Sequence, residues 1–183
     1  MAQYETATLA NGCFWCTEAI FKRLKGVVSV LPGYADSKVE NPSYQQVCTG
    51  KTGAAEGIQI TYDPSVISYE KVLEIFWHLH DPTTLNRQGN DVGTQYRSAV
   101  YYHNDEQKRI AQSVKAALEQ AHTYKDPIVT EITPFTNFYH AEDYHQNYYD
   151  NNRYQPYCRA VIDPKVRKLL KEYSNEVKEA GVK

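Results

Sequence analysis

Two cysteines three residues apart, in Gly12-Cys13-Phe14-Trp15-Cys16, have the clearest capacity for chemistry in this chain. The apolar spacing at Cys16, Ala19, Ile20 and Leu24 predicts a helix over about Cys13 to Leu24, with Gly26 as its stop. Cys13 then falls in the first turn, where unpaired backbone N–H groups and the helix dipole favour negative charge. A thiol placed there is expected to ionise near neutral pH. Cys16 follows on the same face one turn later, within reach of Cys13. The pair therefore reads as a nucleophilic thiolate with a resolving partner. A general dithiol/disulfide oxidoreductase using the C-x-x-C pair is the alternative.

Other constellations are weaker. His78 and His80 could join the cysteines in a zinc site, but residues two apart on a helix diverge. Glu119-x-x-His122 and Glu142-x-x-His145 imitate di-iron ligand pairs, which also need glutamates from two further long helices. Gly50-Lys51-Thr52 resembles the end of a phosphate-binding loop, yet Gln45 stands where that pattern needs glycine. No metal site is expected. The tyrosines clustered from Tyr139 to Tyr157 are interleaved with Glu142, Asp143 and Asp150, whereas a base-stacking groove would be basic. They read as amphipathic side chains packing over the core.

The elements that must position these groups follow from periodicity and turn signals. Thr6 to Ala10 is a short strand, and Asn11-Gly12 turns the chain into the first helix. Val27 to Leu31 is a β-branched strand. Pro32 to Glu56, rich in turn formers, reads as a long functional loop. Ile58, Ile60 and Tyr62 alternate as a strand, and Ser68 caps a helix carrying Val72, Leu73 and Phe76. A polar loop, Asp81 to Arg97, precedes the strand Ser98 to Tyr102. Asn104 with Gln107 resembles a capping box for the next helix. Ile128 to Thr133 is a further strand, and a charged helix starts near Pro164. The order β-α-β, β-α-β predicts an α/β (α+β) fold, a ferredoxin-like split β-α-β plait with long loops and a C-terminal helix.

Composition agrees with one catalytic domain over residues 1–183: 42% of residues are hydrophobic and 23% charged, as in ordinary globular domains. Twenty basic against 22 acidic residues leave a net charge of −2, so neither nucleic acid nor a membrane surface is an expected partner. No apolar run approaches the roughly 20 residues that span a bilayer. The start, Met1 to Thr6, lacks the features of a signal peptide. A cytoplasmic monomer is expected. In a reducing compartment a close cysteine pair points to catalysis or metal binding rather than a structural bridge.

Four ordered motifs carry a resemblance over roughly Thr8 to Asp163. They are Gly12-Cys13-Phe14-Trp15; Thr49-Gly50-x-Thr52-Gly53-x-x-Glu56; Gln88-Gly89-Asn90-Asp91-x-Gly93-Thr94-Gln95-Tyr96-Arg97-Ser98; and Phe138-Tyr139-x-Ala141-Glu142-Asp143-Tyr144-His145-Gln146. Together they resemble the peptide methionine sulfoxide reductase A family. The resemblance implies reduction of the S-epimer of methionine sulfoxide, free or in proteins, without a bound cofactor. It implies Cys13 as nucleophile, Phe14 and Trp15 as walls for the substrate methyl group, and Glu56 as the acid that protonates the sulfoxide oxygen. Tyr44 and Tyr96 are implied to bind that oxygen, with Asp91 in the same polar cluster. Cys13 would become a sulfenic acid and condense with a resolving thiol, and thioredoxin would reduce the disulfide. Cys16 stands where the commonest family pattern has glycine, which makes it the first choice for resolving thiol because closure is local. Cys158, in the region where many relatives carry resolving cysteines, is second. Ala54 replaces a histidine frequent before the acid, and Cys48 is read as structural.

Overall fold

Ile58, Ile60 and Tyr62 are all fully buried, as a strand with one covered face requires. The computed structural model describes residues 3–178, so the first two residues of the Met1–Thr6 stretch and residues 179–183 lie outside the described residues. In chain order the elements are β1 (Glu5–Asn11), α1 (Phe14–Phe21), β2 (Val27–Ala35), α2 (Tyr44–Cys48), β3 (Ala55–Tyr62) and α3 (Tyr69–His78). There follow β4 (Arg87–Gln88), β5 (Asp91–Val92), β6 (Ser98–Tyr102), α4 (Asp105–Gln120), β7 (Glu131–Pro134), β8 (Phe138–His140), α5 (Tyr148–Asn151) and α6 (Asp163–Glu172). A π-helical turn, Cys158–Ile162, precedes α6.

The main sheet has the order β7-β6-β1-β3-β2-β8. Its centre, β6-β1-β3-β2, is antiparallel throughout and is the expected plait. β7 adds in parallel beside β6, and β8 pairs antiparallel with β2. Because β1 runs antiparallel to β3, the end of β1, which leads to Cys13, lies beside the start of β3, which carries Glu56.

Several sequence expectations change in the folded chain: the strand expected over Ile128 to Thr133 begins only at Glu131, and the expected Asp81–Arg97 loop holds the β4-β5 hairpin. The expected Pro32–Glu56 loop is shorter: β2 continues through Pro32 and Gly33 to Ala35, paired with β3 on one side and β8 on the other. Two-sided pairing outweighs the weak strand propensity of those residues. Within the remaining loop, α2 begins at a reciprocal capping box between Ser43 and Gln46. The first helix stops at Phe21 rather than Leu24; Gly26 takes φ +88° in the following turn and not at the helix end. Gln107 forms half of its box, accepting at the N–H of His103 while Asn104 caps its own N–H.

All of α1 but Trp15 is buried. Ile20 and Phe21 face the main core with Leu9, Ile60, Val72, Leu73 and Phe76. Cys16 and Ala19 face a second apolar cluster with Tyr149, Cys158, Ile162 and Val166. The helix is thus clamped between the sheet and the C-terminal segment, which the spacing of one apolar face did not indicate. Each fully buried large side chain here contributes roughly 1.5–3 kcal/mol.

Candidate active site

Gly12 makes the turn from β1 into α1. It takes φ +109°, and a Cβ there would stand 2.7 Å from Cβ of Gln88, so only glycine fits. Cys13 is the N-cap of α1, its carbonyl accepting from the N–H of Cys16 at 3.1 Å. Asn11 and Thr17 brace this turn: the Thr17 hydroxyl donates to Asn11 Oδ1 at 2.5 Å and lies 3.2 Å from the Cys13 carbonyl.

A cavity of about 90 Å³ opens at this turn, lined by Cys13, Phe14, Trp15, Tyr44, Glu56, Asp91, Tyr96 and Tyr157. Seven of these eight are residues singled out from the sequence. Larger clefts elsewhere, such as that between α3 and α4, hold none of them. The residues come from separate segments, with Tyr157 entering from just before the π-helical turn. α1 brings the first three, β3 brings Glu56, and α2 and the Asp81–Arg97 segment bring Tyr44, Asp91 and Tyr96.

Glu56 is 2% exposed. Its Oε1 accepts from the Phe14 N–H at 3.5 Å, and its Oε2 has no hydrogen-bond partner among the described residues. Burial pushes its carboxyl up to about 8, against the pull of that N–H. The acid is therefore protonated at neutral pH. Its orientation comes from the first backbone N–H of α1 and from pairing of Glu56 with Tyr34 across β2 and β3, so Ala54 leaves it held. Burial also pushes the phenols of Tyr44 and Tyr96 well above their ordinary range, keeping both as proton-bearing donors.

The two sulfurs behave differently from the expectation. Cys13 makes no side-chain capping bond, and the first N–H of α1 goes to Glu56. The hydrogen bond with Cys16, and then burial, push the Cys13 thiol well above its ordinary range. The same hydrogen bond, opposed by burial and aided by Lys165, lowers Cys16 to about 7. The two neighbouring thiols titrate as one pair, which carries a single charge near neutral pH. Tyr157 stands over the pair, 4.0 Å from Cys16 Sγ, and donates to Asp91 Oδ2 at 3.1 Å.

Cys16 and Cys158 do not line the cavity; both are buried in the cluster behind it. Burial pushes the Cys158 thiol up. Cys48, read as structural, is instead exposed at the end of α2. His78 and His80 each meet a backbone carbonyl, and His80 also meets Ser98 at 2.8 Å. Among the described residues no group of three His, Cys, Asp or Glu could hold a metal ion. Among the described residues no helix is long and apolar enough to cross a membrane.

Sequence reasoning missed Tyr157, although it adjoins Cys158, and the supports of the aromatic wall. Trp15 stacks on Tyr148 with ring centroids 3.7 Å apart and planes within 8°. Its indole N–H donates to Nδ1 of the fully buried His145 at 3.0 Å. Burial lowers His145 and keeps it neutral, so the proton sits on Nε2. Glu142 braces the far side, accepting from the Tyr34 hydroxyl at 2.9 Å and the Tyr44 N–H at 3.1 Å. His145 and Glu142 both lay in the fourth motif, but spacing alone does not show which side chains turn inward.

Known proteins resemble this chain over most of its length. The family model described as peptide methionine sulfoxide reductase matches residues 5–178. Peptide methionine sulfoxide reductase MsrA of Saccharolobus solfataricus is 58% identical over 174 residues, covering 95% of this chain and 97% of the relative. The MsrA of Sulfolobus acidocaldarius is 58% identical over 172 residues, covering 94% and 97%. Among solved structures, reduced Mxr1 from Saccharomyces cerevisiae superposes with a TM-score of 0.78 at 38% identity, covering 85% of this chain and 90% of the other. Mxr1 in complex with Trx2 is similar at a TM-score of 0.56 and 28% identity, covering 80% and 85%. Because the family model spans residues 5–178 and relatives more than half identical cover over nine-tenths of both chains, this chain belongs to the peptide methionine sulfoxide reductase family.

Proposed function

We propose that this chain reduces the S-epimer of methionine sulfoxide, free or in proteins, to methionine, with thioredoxin restoring the enzyme thiols. The observation that carries the reading is Glu56: a buried, proton-bearing carboxyl with an unpartnered oxygen on the same cavity as Cys13. A sulfoxide sulfur is a poor electrophile until its oxygen gains a proton, and this site has the acid to supply one. A general dithiol oxidoreductase has no use for that acid.

Cys13 is the nucleophile, since of the two paired thiols it alone lines the cavity. Phe14 and Trp15 hold the substrate methyl, and Tyr44 and Tyr96 donate to the sulfoxide oxygen beside Glu56. Asp91, held by the Tyr157 hydroxyl, closes the polar side. As Cys13 attacks sulfur, its proton passes to the Cys16 thiolate and Glu56 delivers its own to oxygen. The bond formed between Cys13 Sγ and the substrate sulfur then breaks as the hydroxyl passes from the substrate sulfur to Cys13 Sγ, so methionine leaves reduced by two electrons and Cys13 is left oxidised as the sulfenic acid. The Cys16 thiol then attacks Cys13, expelling water and closing a Cys13–Cys16 disulfide. Cys158 is the second candidate for this step, buried in the same cluster. The thiols supply both electrons, so the reaction needs no bound cofactor. A thioredoxin dithiol reopens the disulfide through a mixed disulfide, a step supported by the Mxr1 complex with Trx2.

Reduced protein mixed with methionine sulfoxide, without added thiol, tests the reading. The expected result is one methionine per chain, from the S-epimer, and a protein lighter by about 2 Da. No methionine, or undiminished reduction by Cys13→Ser, overturns it.

A further inference from the structure

Glu18, on α1, is the second buried carboxyl among the described residues, and no step above uses it. It is 2% exposed, and burial pushes its carboxyl up to about 7. An ionisable group kept in such a place costs stability, whereas an apolar side chain of similar size would add to it. Its partner shows what is gained. Glu18 Oε2 accepts the backbone N–H of Asn147 at 3.1 Å. Asn147 sits at φ +55°, a left-handed conformation that a non-glycine residue holds only when its surroundings fix it. One turn along α1, Lys22 fixes the other polar end, donating to Asn147 Oδ1 at 2.8 Å and to Asp150 at 2.5 Å. Arg23 donates to the second oxygen of Asp150 at 2.7 Å.

The next residue after Asn147 is Tyr148, whose ring is stacked on Trp15. Trp15 precedes Glu18 by three residues, so wall and clamp share one face of one short helix. Asn147 is the point where the chain turns into α5, and its φ and ψ aim the Tyr148 ring.

We propose that Glu18 is a positioning residue of the reaction: its carboxylate holds the Asn147 backbone so that Tyr148 stays stacked on Trp15, which sets the apolar wall against the substrate methyl. The kinetic consequence rests on the sulfoxide-reductase reading; the structural consequence does not. Glu18 touches neither Cys13 nor the cavity, so its loss should weaken substrate binding and leave the sulfur chemistry intact.

The test compares wild type with Glu18→Ala, Glu18→Gln and Tyr148→Ala. Glutamine keeps an oxygen acceptor for the Asn147 N–H, so it should restore what alanine loses. Trp77 is fully buried, so acrylamide quenching of tryptophan fluorescence reports on Trp15. Quenching should rise in Glu18→Ala and Tyr148→Ala and return to the wild-type value in Glu18→Gln. An aromatic stack is worth roughly 0.5–1.5 kcal/mol, so the KM for methionine sulfoxide should rise roughly 2- to 12-fold in the two alanine variants. The saturated first-turnover rate should stay near the wild-type value. Combining Glu18→Ala with Tyr148→Ala should add little to either single effect. Unchanged quenching in a folded Glu18→Ala protein overturns the proposal, as does a fall in rate at unchanged KM. Should Glu18→Ala fail to fold, a Glu18→Gln protein with raised quenching and KM overturns it, because the retained acceptor would then not suffice. Inactivity of the wild type would refute the reductase reading alone, and the quenching comparison would still decide the role of Glu18.

Discussion

Replacing Glu56 by glutamine should make the protein more stable as well as inactive, by an amount that depends on pH. The folded state holds the Glu56 proton up to about 8, whereas an unfolded glutamate releases it near 4.5. Between those limits the folded state binds more protons, so wild-type stability falls as pH rises and levels off above about 8. The slope is about 1.4 kcal/mol per pH unit, which accumulates to roughly 3 kcal/mol by pH 7. Glutamine has no proton to retain, so this loss is absent from the variant, and any packing difference it introduces is independent of pH. For a chain of this size 3 kcal/mol corresponds to roughly 6–12 °C in melting temperature. Urea unfolding of both proteins from pH 4.5 to 9 gives the difference curve, in which other titrating groups cancel. That curve should climb from pH 5 to 8 in favour of Glu56→Gln and then flatten. First-turnover reduction should fall by roughly 10²- to 10⁴-fold in the same variant. A flat difference curve would refute the claim that burial keeps this carboxyl protonated, and with it the assignment of the acid.

Cys16→Ser should retain one turnover and lose thioredoxin-supported cycling, while Cys158→Ser should keep both. Loss of cycling in Cys158→Ser with normal cycling in Cys16→Ser would reverse the choice of resolving thiol. Alkylation of the reduced wild-type protein should increase as pH rises through about 7, where Cys16 ionises, and this step should vanish in Cys16→Ser. Persistence of the step in Cys16→Ser would return the low ionisation to Cys13. Tyr157→Phe removes the hydroxyl beside Cys16 and the bond to Asp91, so the alkylation step should move to higher pH and first turnover should slow by roughly 10-fold. Wild-type values for both would show that the hydroxyl has no part in the site. Gly12→Ala should unfold or strongly destabilise the α1 turn, by about 1–3 kcal/mol for its backbone alone, measured by urea midpoint.

Local patterns were enough to read the central plait and most of the cavity. Alternation at Ile58, Ile60 and Tyr62, the Ser68 cap and the β-α-β order all express short-range preferences that the tertiary structure reinforces. Six of the cavity residues were legible because three of the four ordered motifs carry them, whereas Tyr44 lies outside those motifs. The course of β2 through Pro32 and Gly33 was not legible, since strand pairing with β3 and β8 depends on residues up to about a hundred positions away. Nor were the partners of Trp15, because His145 and Tyr148 reach it only after the chain has closed the second cluster over α1. The ionisation of the thiols shows the limit most clearly. From the sequence, the free N–H groups of a helix start belong to Cys13. In the fold, β3 brings a carboxyl to the first of them, and a neighbouring sulfur shares the remaining charge. Residue types and their spacing settle which groups are present; protonation depends on burial and contact, which exist only once distant segments meet.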